Sequence, residues 1–136
     1  MMRHRESGYT LLEMIVVLAI LGLMLGIVVT RGPMHSPRLD TEVAVRELAG
    51  ALRVARGRAI AQDKPVSVLL AADRYQVDGM ASHAVPADVS LSGNTVIRFA
   101  PDGSSSGGTV VVQGSNIRMV VAVNWLTGHV DTAAAQ

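Results

Sequence analysis

The chain has 136 residues, a formal net charge of +1, 49% apolar residues and no cysteine. That length allows one small domain plus a short appended segment, and the missing cysteine excludes a disulfide framework and a thiolate metal site. Twelve basic against eleven acidic side chains leave no excess for broad electrostatic capture of nucleic acid.

Residues 1–8 form a basic leader with Arg3, His4 and Arg5, too short to be a structural element. Without them the side chains balance, ten basic and ten acidic, since Arg3, Arg5 and Glu6 go. From Tyr9 to Thr30 the pattern predicts an apolar helix, long enough at about 1.5 Å per residue to span a bilayer core. Glu13 stands inside it. A charge there costs up to about 2.5–3.5 kcal/mol at a helix centre, and less near an end. A plain signal anchor leaves this carboxylate unexplained. A secretory signal peptide fits poorly, because the run is too long and no small-x-small site closes it. Arg3 and Arg5 place the N-terminus in the cytoplasm and the body of the chain outside. Gly22 and Gly26 have the spacing that permits close helix contact, a spacing common by chance in such segments.

Gly32, Pro33 and Pro37 interrupt the helical pattern, and Ser36 with Pro37 reads as the start of a second helix. Val45, Leu48, Leu52, Ala55 and Ala59 make one apolar stripe through residues 37–62. Glu42 and Arg46 are placed for an i,i+4 pair. Arg53, Arg56 and Arg58 read as a solvated or subunit-facing side rather than a nucleic-acid face. Asp63-Lys64-Pro65 ends this helix.

The rest reads as β. Residues 66–70 and 75–77 form a hairpin around Ala72-Asp73-Arg74. Residues 79–95 are irregular, with one short strand near Val89-Ser90-Leu91. Residues 96–99 are a strand, and residues 101–108 a turn-rich loop. Residues 109–113 and 117–123 form a second hairpin. A turn over residues 124–128 precedes His129-Val130-Asp131, and the tail from Thr132 to Gln136 is expected to fray. Trp125 is assigned to the core. His35, His83 and His129 lack metal spacing. Ser104-Ser105-Ser106 has no Walker lysine and no nucleophile-elbow context. No catalytic, metal or cofactor site is predicted, and the chain reads as no enzyme.

Gly8-Tyr9-Thr10-Leu11-Leu12-Glu13, running into the apolar helix, resembles the type IV prepilin signature. The resemblance implies cleavage between Gly8 and Tyr9 by a prepilin peptidase and N-methylation of Tyr9. It also implies an assembly contact in which Glu13 pairs with the methylated amine of a neighbouring subunit. Leu48-x-x-x-Leu52-Arg53-x-Ala55-Arg56, Phe99-Ala100-Pro101-Asp102-Gly103-Ser104 and Thr127-Gly128-His129-Val130 narrow this. Together they resemble the H-class minor pseudopilins of type II secretion systems, the GspH/FimT-like family, with His129 where that family usually has Arg. The implied fold is α+β and pilin-like: a long hydrophobic N-terminal helix, then an amphipathic helix packed on a small antiparallel β domain. The implied parts are a leader (1–8), a transmembrane and filament-core helix (9–30) and a periplasmic domain (31–136), with its helix at 37–62 and its β region at 65–131. The implied function is a structural subunit of the pseudopilus that drives export of folded proteins across the outer membrane. The alternative is a FimT-like minor pilin serving pilus assembly or DNA uptake, against which stands the lack of any Lys or Arg after Arg118. Implied partners are the other pseudopilins, the prepilin peptidase and the inner membrane, which the chain crosses once with its C-terminal domain periplasmic; nucleic acid is not expected.

Overall fold

A computed structural model describes residues 9–30 and 36–135. The chain divides into two compact units, Met1–Met34 and His35–Gln136. The leader and Gly8 lie outside the described residues, as does the interruption at 31–35.

In the first unit the helix α1 runs Leu11–Thr30. The Thr10 carbonyl accepts the Met14 N–H at 3.3 Å, and the Thr10 hydroxyl accepts the Glu13 N–H at 3.3 Å. Every side chain described in α1, Leu11 to Ile27, is exposed. A helix that is apolar all round needs cover from lipid or protein. Among the described residues no helix is long and apolar enough to cross a membrane. The side chains of α1 are described only to Ile27, short of the about 20 apolar residues a span takes, although its backbone is helical to Thr30.

In the second unit α2 runs Pro37–Gln62. Pro37 starts it because its fixed φ suits the first helical position and its missing N–H loses nothing there. Ser36 is the N-cap in extended conformation, but its side chain makes no capping bond. The Thr41 hydroxyl, fully buried, instead donates to the Pro37 carbonyl at 2.9 Å. Asp63 ends the helix at φ 50°, ψ 41°, with its N–H on the Ile60 carbonyl and the Lys64 N–H on that of Ala59, a Schellman closure.

The strands β1 (Val66–Leu70), β2 (Arg74–Val77), β3 (His83–Ala84), β4 (Ser90–Gly93), β5 (Val96–Phe99), β6 (Gly108–Gln113), β7 (Arg118–Val123) and β8 (Val130–Ala134) come next in the chain. They make two antiparallel sheets of order β3-β2-β1-β5 and β4-β6-β7-β8. In the first, Val68 lies between Val77 and Ile97; in the second, Val110 faces Val121. Their buried faces meet the stripe Ala44, Val45, Leu48, Ala49, Leu52, Ala55 and Ala59 in one core, with α2 touching strands of both sheets. The alanines of the stripe are what let one helix lie close on two sheets.

Two expectations need correction. The tail from Thr132 does not fray: Val121 pairs with Thr132, Val120 with Ala133 and Met119 with Ala134, and the Ala135 N–H reaches the Arg118 carbonyl at 3.0 Å. Backbone pairing to β7 holds these residues while their side chains stay exposed, so they carry no apolar signal. The β region therefore passes residue 131. The irregular stretch 79–95 also contains β3, whose two residues are too short to show a period.

Candidate functional site

The predicted site residues lie at the start of α1. Tyr9 is 80% exposed and, like Thr10, stands outside the helix. Glu13 occupies the third helical position, and its side chain is exposed. The spacing Thr10-x-x-Glu13 is that of a capping box, in which a hydroxyl accepts the N–H of the third helical residue and that residue's carboxylate can reach back to the cap's own N–H. The first of these two bonds is formed here. Thr10 is the residue that reading the sequence missed, although the Thr-x-x-Glu signal was present. It supplies a local reason for an acidic residue at position 13: a negative charge in the first turn suits the positive end of the helix dipole.

The second cluster gathers three stretches that lie far apart in sequence. The Arg56 Nε donates to the Gly103 carbonyl at 3.0 Å. The Arg53 guanidinium donates to the Val130 carbonyl at 3.2 Å, and that of Arg58 to the Asp78 carbonyl at 3.0 Å. Each of these arginines ties α2 to a loop or strand of its own β domain, while Arg53 stays exposed. A Cβ on Gly128, whose φ is 62°, would meet the Gly103 carbonyl oxygen and lie 2.8 Å from the Arg56 Nε. Gly103, at φ 84°, also lies against Arg56. The motifs around residues 52–56, 99–104 and 127–130 are thus one packing site centred on the Arg56 guanidinium. Beside it, Asp102 Oδ1 accepts the Ser104 hydroxyl at 2.6 Å and the Ser104 N–H at 3.0 Å. These bonds, the hydroxyl first, hold the Asp102 carboxyl below its usual range.

Trp125 is not in the core; it is 67% exposed. Asn124 Oδ1 accepts the N–H of Leu126 and of Thr127 at 2.9 and 3.1 Å, and the Trp125 carbonyl accepts the Ser105 N–H at 2.8 Å. This turn fixes the Trp125 backbone against Gly107, while Val123 and Val130 on either side are the residues that turn inward. The Ser105 and Ser106 hydroxyls are both used in loop hydrogen bonds. His83 Nε2 lies 3.1 Å from Glu47 of α2, and His129 Nε2 lies 3.3 Å from Asp131 of β8. His35 lies outside the described residues. Among the described residues no three His, Asp or Glu side chains are grouped to hold a metal. Glu42 meets Arg46 at 3.9 Å and Arg38 at 3.1 Å.

An exposed apolar helix led by a capped turn, followed by a second helix laid across antiparallel sheets, defines a pilin-type subunit. The comparisons make this specific. Residues 3–29 match the prokaryotic N-terminal methylation motif, and residues 44–128 match the model of Type II transport protein GspH. The chain belongs to the GspH family. It is 30% identical to Type II secretion system protein H of Xanthomonas campestris pv. campestris over 94% of this chain and 83% of that protein. Its fold is similar to the type IV minor pilin FimU of Pseudomonas aeruginosa, with TM-score 0.62, 16% identity and coverage of 73% of this chain and 95% of that one. It is also similar to the minor pseudopilin EpsH from the type 2 secretion system of Vibrio cholerae, with TM-score 0.60, 11% identity and coverage of 70% and 97%. At these identities the two structures bear on the fold alone.

Proposed function

We infer that the chain is a minor pseudopilin, a structural subunit of a type II secretion pseudopilus that serves export of folded proteins. The observation that carries this is the join of two features in one chain: the methylation motif over residues 3–29 and the GspH match over residues 44–128. In this reading a prepilin peptidase cuts between Gly8 and Tyr9 and Tyr9 is N-methylated. The segment 9–30 holds the chain in the inner membrane, and the domain from residue 31 stands in the periplasm. Arg3 and Arg5 before the apolar run support that orientation. Assembly then moves α1 from lipid into a bundle of like helices from the other pseudopilins, where its exposed apolar surface stays dry. Glu13 meets the methylated amine of a neighbour, which offsets the cost of burying either charge.

Nothing in this reading needs a cofactor, a metal or catalysis by this chain. The engagement of Arg53, Arg56 and Arg58 on backbone carbonyls argues against a nucleic-acid surface on α2. The similarity to FimU keeps a type IV pilus as the alternative setting, but the relative matched over 94% of the chain is a secretion protein. Mass spectrometry of the mature chain tests the reading, with an N-methylated Tyr9 as its expected first residue. Deleting the gene should leave exoproteins in the periplasm. A mature chain that still begins at Met1 in cells with active prepilin peptidase, or unchanged secretion, would overturn it.

A further inference from the structure

We propose that the free edge of β8 takes an extended strand from another pseudopilin, one that carries a basic side chain opposite Asp131 and an acidic one beside Arg53. The proposal rests on the pseudopilin reading above. An edge strand presents unpaired N–H and C=O groups, and folded proteins cover or blunt such edges. Among the described residues, three of the four edges of the two sheets are managed in this way. On β5 the Ser106 N–H donates to the Arg98 carbonyl at 2.8 Å, and the Arg98 N–H donates to the Ser106 hydroxyl at 3.1 Å. On β4 the Leu91 N–H donates to the Ala72 carbonyl at 2.8 Å. The edge strand β3 is only two residues long.

The fourth edge, β8, is open. The Asn124 N–H donates to the His129 carbonyl at 2.9 Å, and the Ala135 N–H to the Arg118 carbonyl at 3.0 Å. Hydrogen-bonded pairs alternate along an antiparallel ladder, so residues 129, 131, 133 and 135 turn their backbone groups to β7. Those of Val130, Thr132 and Ala134 turn the other way. The Arg53 guanidinium agrees with this parity, because it reaches the Val130 carbonyl at 3.2 Å from that side. Among the described residues nothing meets the backbone groups of Thr132 and Ala134. The strand has no Lys, no Pro and no bulge, the usual guards of an open edge.

Charge says what fits there. Asp131 is the one charged side chain of β8 and lies on the sheet face opposite to that of buried Val130. His129 Nε2 contacts its Oδ1 at 3.3 Å, which leaves Oδ2 for a partner. Arg53 is exposed and lies at the edge on the α2 side, with further guanidinium donors beyond the one that Val130 uses. Successive residues of a strand face opposite sides. An added strand therefore meets an acid at one position and an arginine at the next, on the other face. Facing pairs of opposite charge stabilise a sheet and like charges destabilise it, so the matching segment has a basic and an acidic residue side by side. A second copy of β8 does not supply them, since Val130–Ala134 contains no Lys or Arg. Main-chain bonds give such a contact its strength, and the side chains choose the partner.

The test is co-purification of the full-length chain with co-expressed partner pseudopilins from detergent-solubilised membranes, with the chain alone as a second sample. Thr132→Pro removes one outward N–H and spares the bonds to β7, which residues 131, 133 and 135 make; proline is tolerated on the open side of an edge strand. It should lower recovery of the partners about fivefold or more, at an unchanged melting temperature. Ala134→Pro makes the same test one step along the edge, should Thr132→Pro unfold. Thr132→Val keeps the N–H and should match wild type. Asp131→Lys sets base against base and should lower recovery about two- to fivefold. Wild-type recovery in the proline variants, or Thr132→Val as poor as they are, would overturn the proposal. Wild-type recovery with Asp131→Lys would overturn the charge match. A dimer of the chain alone that Thr132→Pro abolishes would make a second copy the occupant and overturn the choice of partner. A wild-type chain that recovers no pseudopilin would overturn the pseudopilin reading itself, and this proposal with it.

Discussion

Arg56 is a single side chain with a structural task out of proportion to its half-buried place on α2. It bonds the Gly103 carbonyl and leaves no room for a Cβ on Gly128. Gly128→Ala would add strain at φ 62° and a collision with a backbone oxygen that cannot swing aside. It should cost about 2 kcal/mol or more, checked by urea unfolding of the soluble domain. Arg56→Ala should cost about 1.5–3 kcal/mol, the range for a hydrogen bond from a charged donor. These residues were visible in the sequence only as fragments of a family pattern; that they touch is set by the fold and has no local signature. Tyr75 offers a pH test. It is 6% exposed, and burial, with a lesser contribution from Glu47, raises its pKa. A raised pKa gives stability that is full below the unfolded value near 10 and is lost as pH rises through the folded one. The melting temperature should therefore fall above about pH 10 more steeply in wild type than in Tyr75→Phe.

Among the elements, α2 was the most legible, because its buried stripe repeats in steps of three and four from Thr41 to Ala59. The long strands were legible from their β-branched runs. The division into two sheets was not, since alternation along a strand says nothing about which neighbour it takes. The end of β8 was hidden for another reason: Asp131-Thr132-Ala133-Ala134 has exposed side chains, and only its backbone is committed. Deleting residues 133–136 tests this. It removes the pairings of Ala133 and Ala134 with β7 and the Ala135 bond to Arg118. A loss of about 1–2 kcal/mol is expected, against no change for a frayed tail. The outward side of α2 gives a test of opposite sign. A Cβ on Gly50 or Gly57 would find nothing within 4 Å. Each sits inside a helix, where glycine is about 0.5–1 kcal/mol worse than alanine. Gly50→Ala and Gly57→Ala should each raise the urea midpoint of the domain.

At the scale of the whole molecule the two units answer to different surroundings. The second has its own core, so a fragment from Ser36 should be a soluble, folded monomer with helix and strand in its circular dichroism; an unfolded spectrum would show the boundary to be misplaced. Among its described residues the first unit buries no side chain. Its exposed apolar surface needs lipid or other subunits, and Glu13 is where the two differ. Glu13→Ala should leave insertion and cleavage intact, since removing a carboxylate makes the segment more apolar. It should impair incorporation with partner pseudopilins, because a neighbour's amine buried without its counter-charge costs about 3–5 kcal/mol. The Thr10 cap adds a second effect of the same substitution, because alanine cannot complete a capping box. Glu13→Gln separates them. Glutamine serves the third position of that box as glutamate does, but brings no charge to the amine. If the ion pair governs assembly, Glu13→Gln should co-purify with partner pseudopilins less than wild type and more than Glu13→Ala, with secretion falling in the same order. If Glu13→Gln assembles and secretes as wild type does while Glu13→Ala fails, the carboxylate serves as the end of its own helix and the intersubunit pairing is wrong.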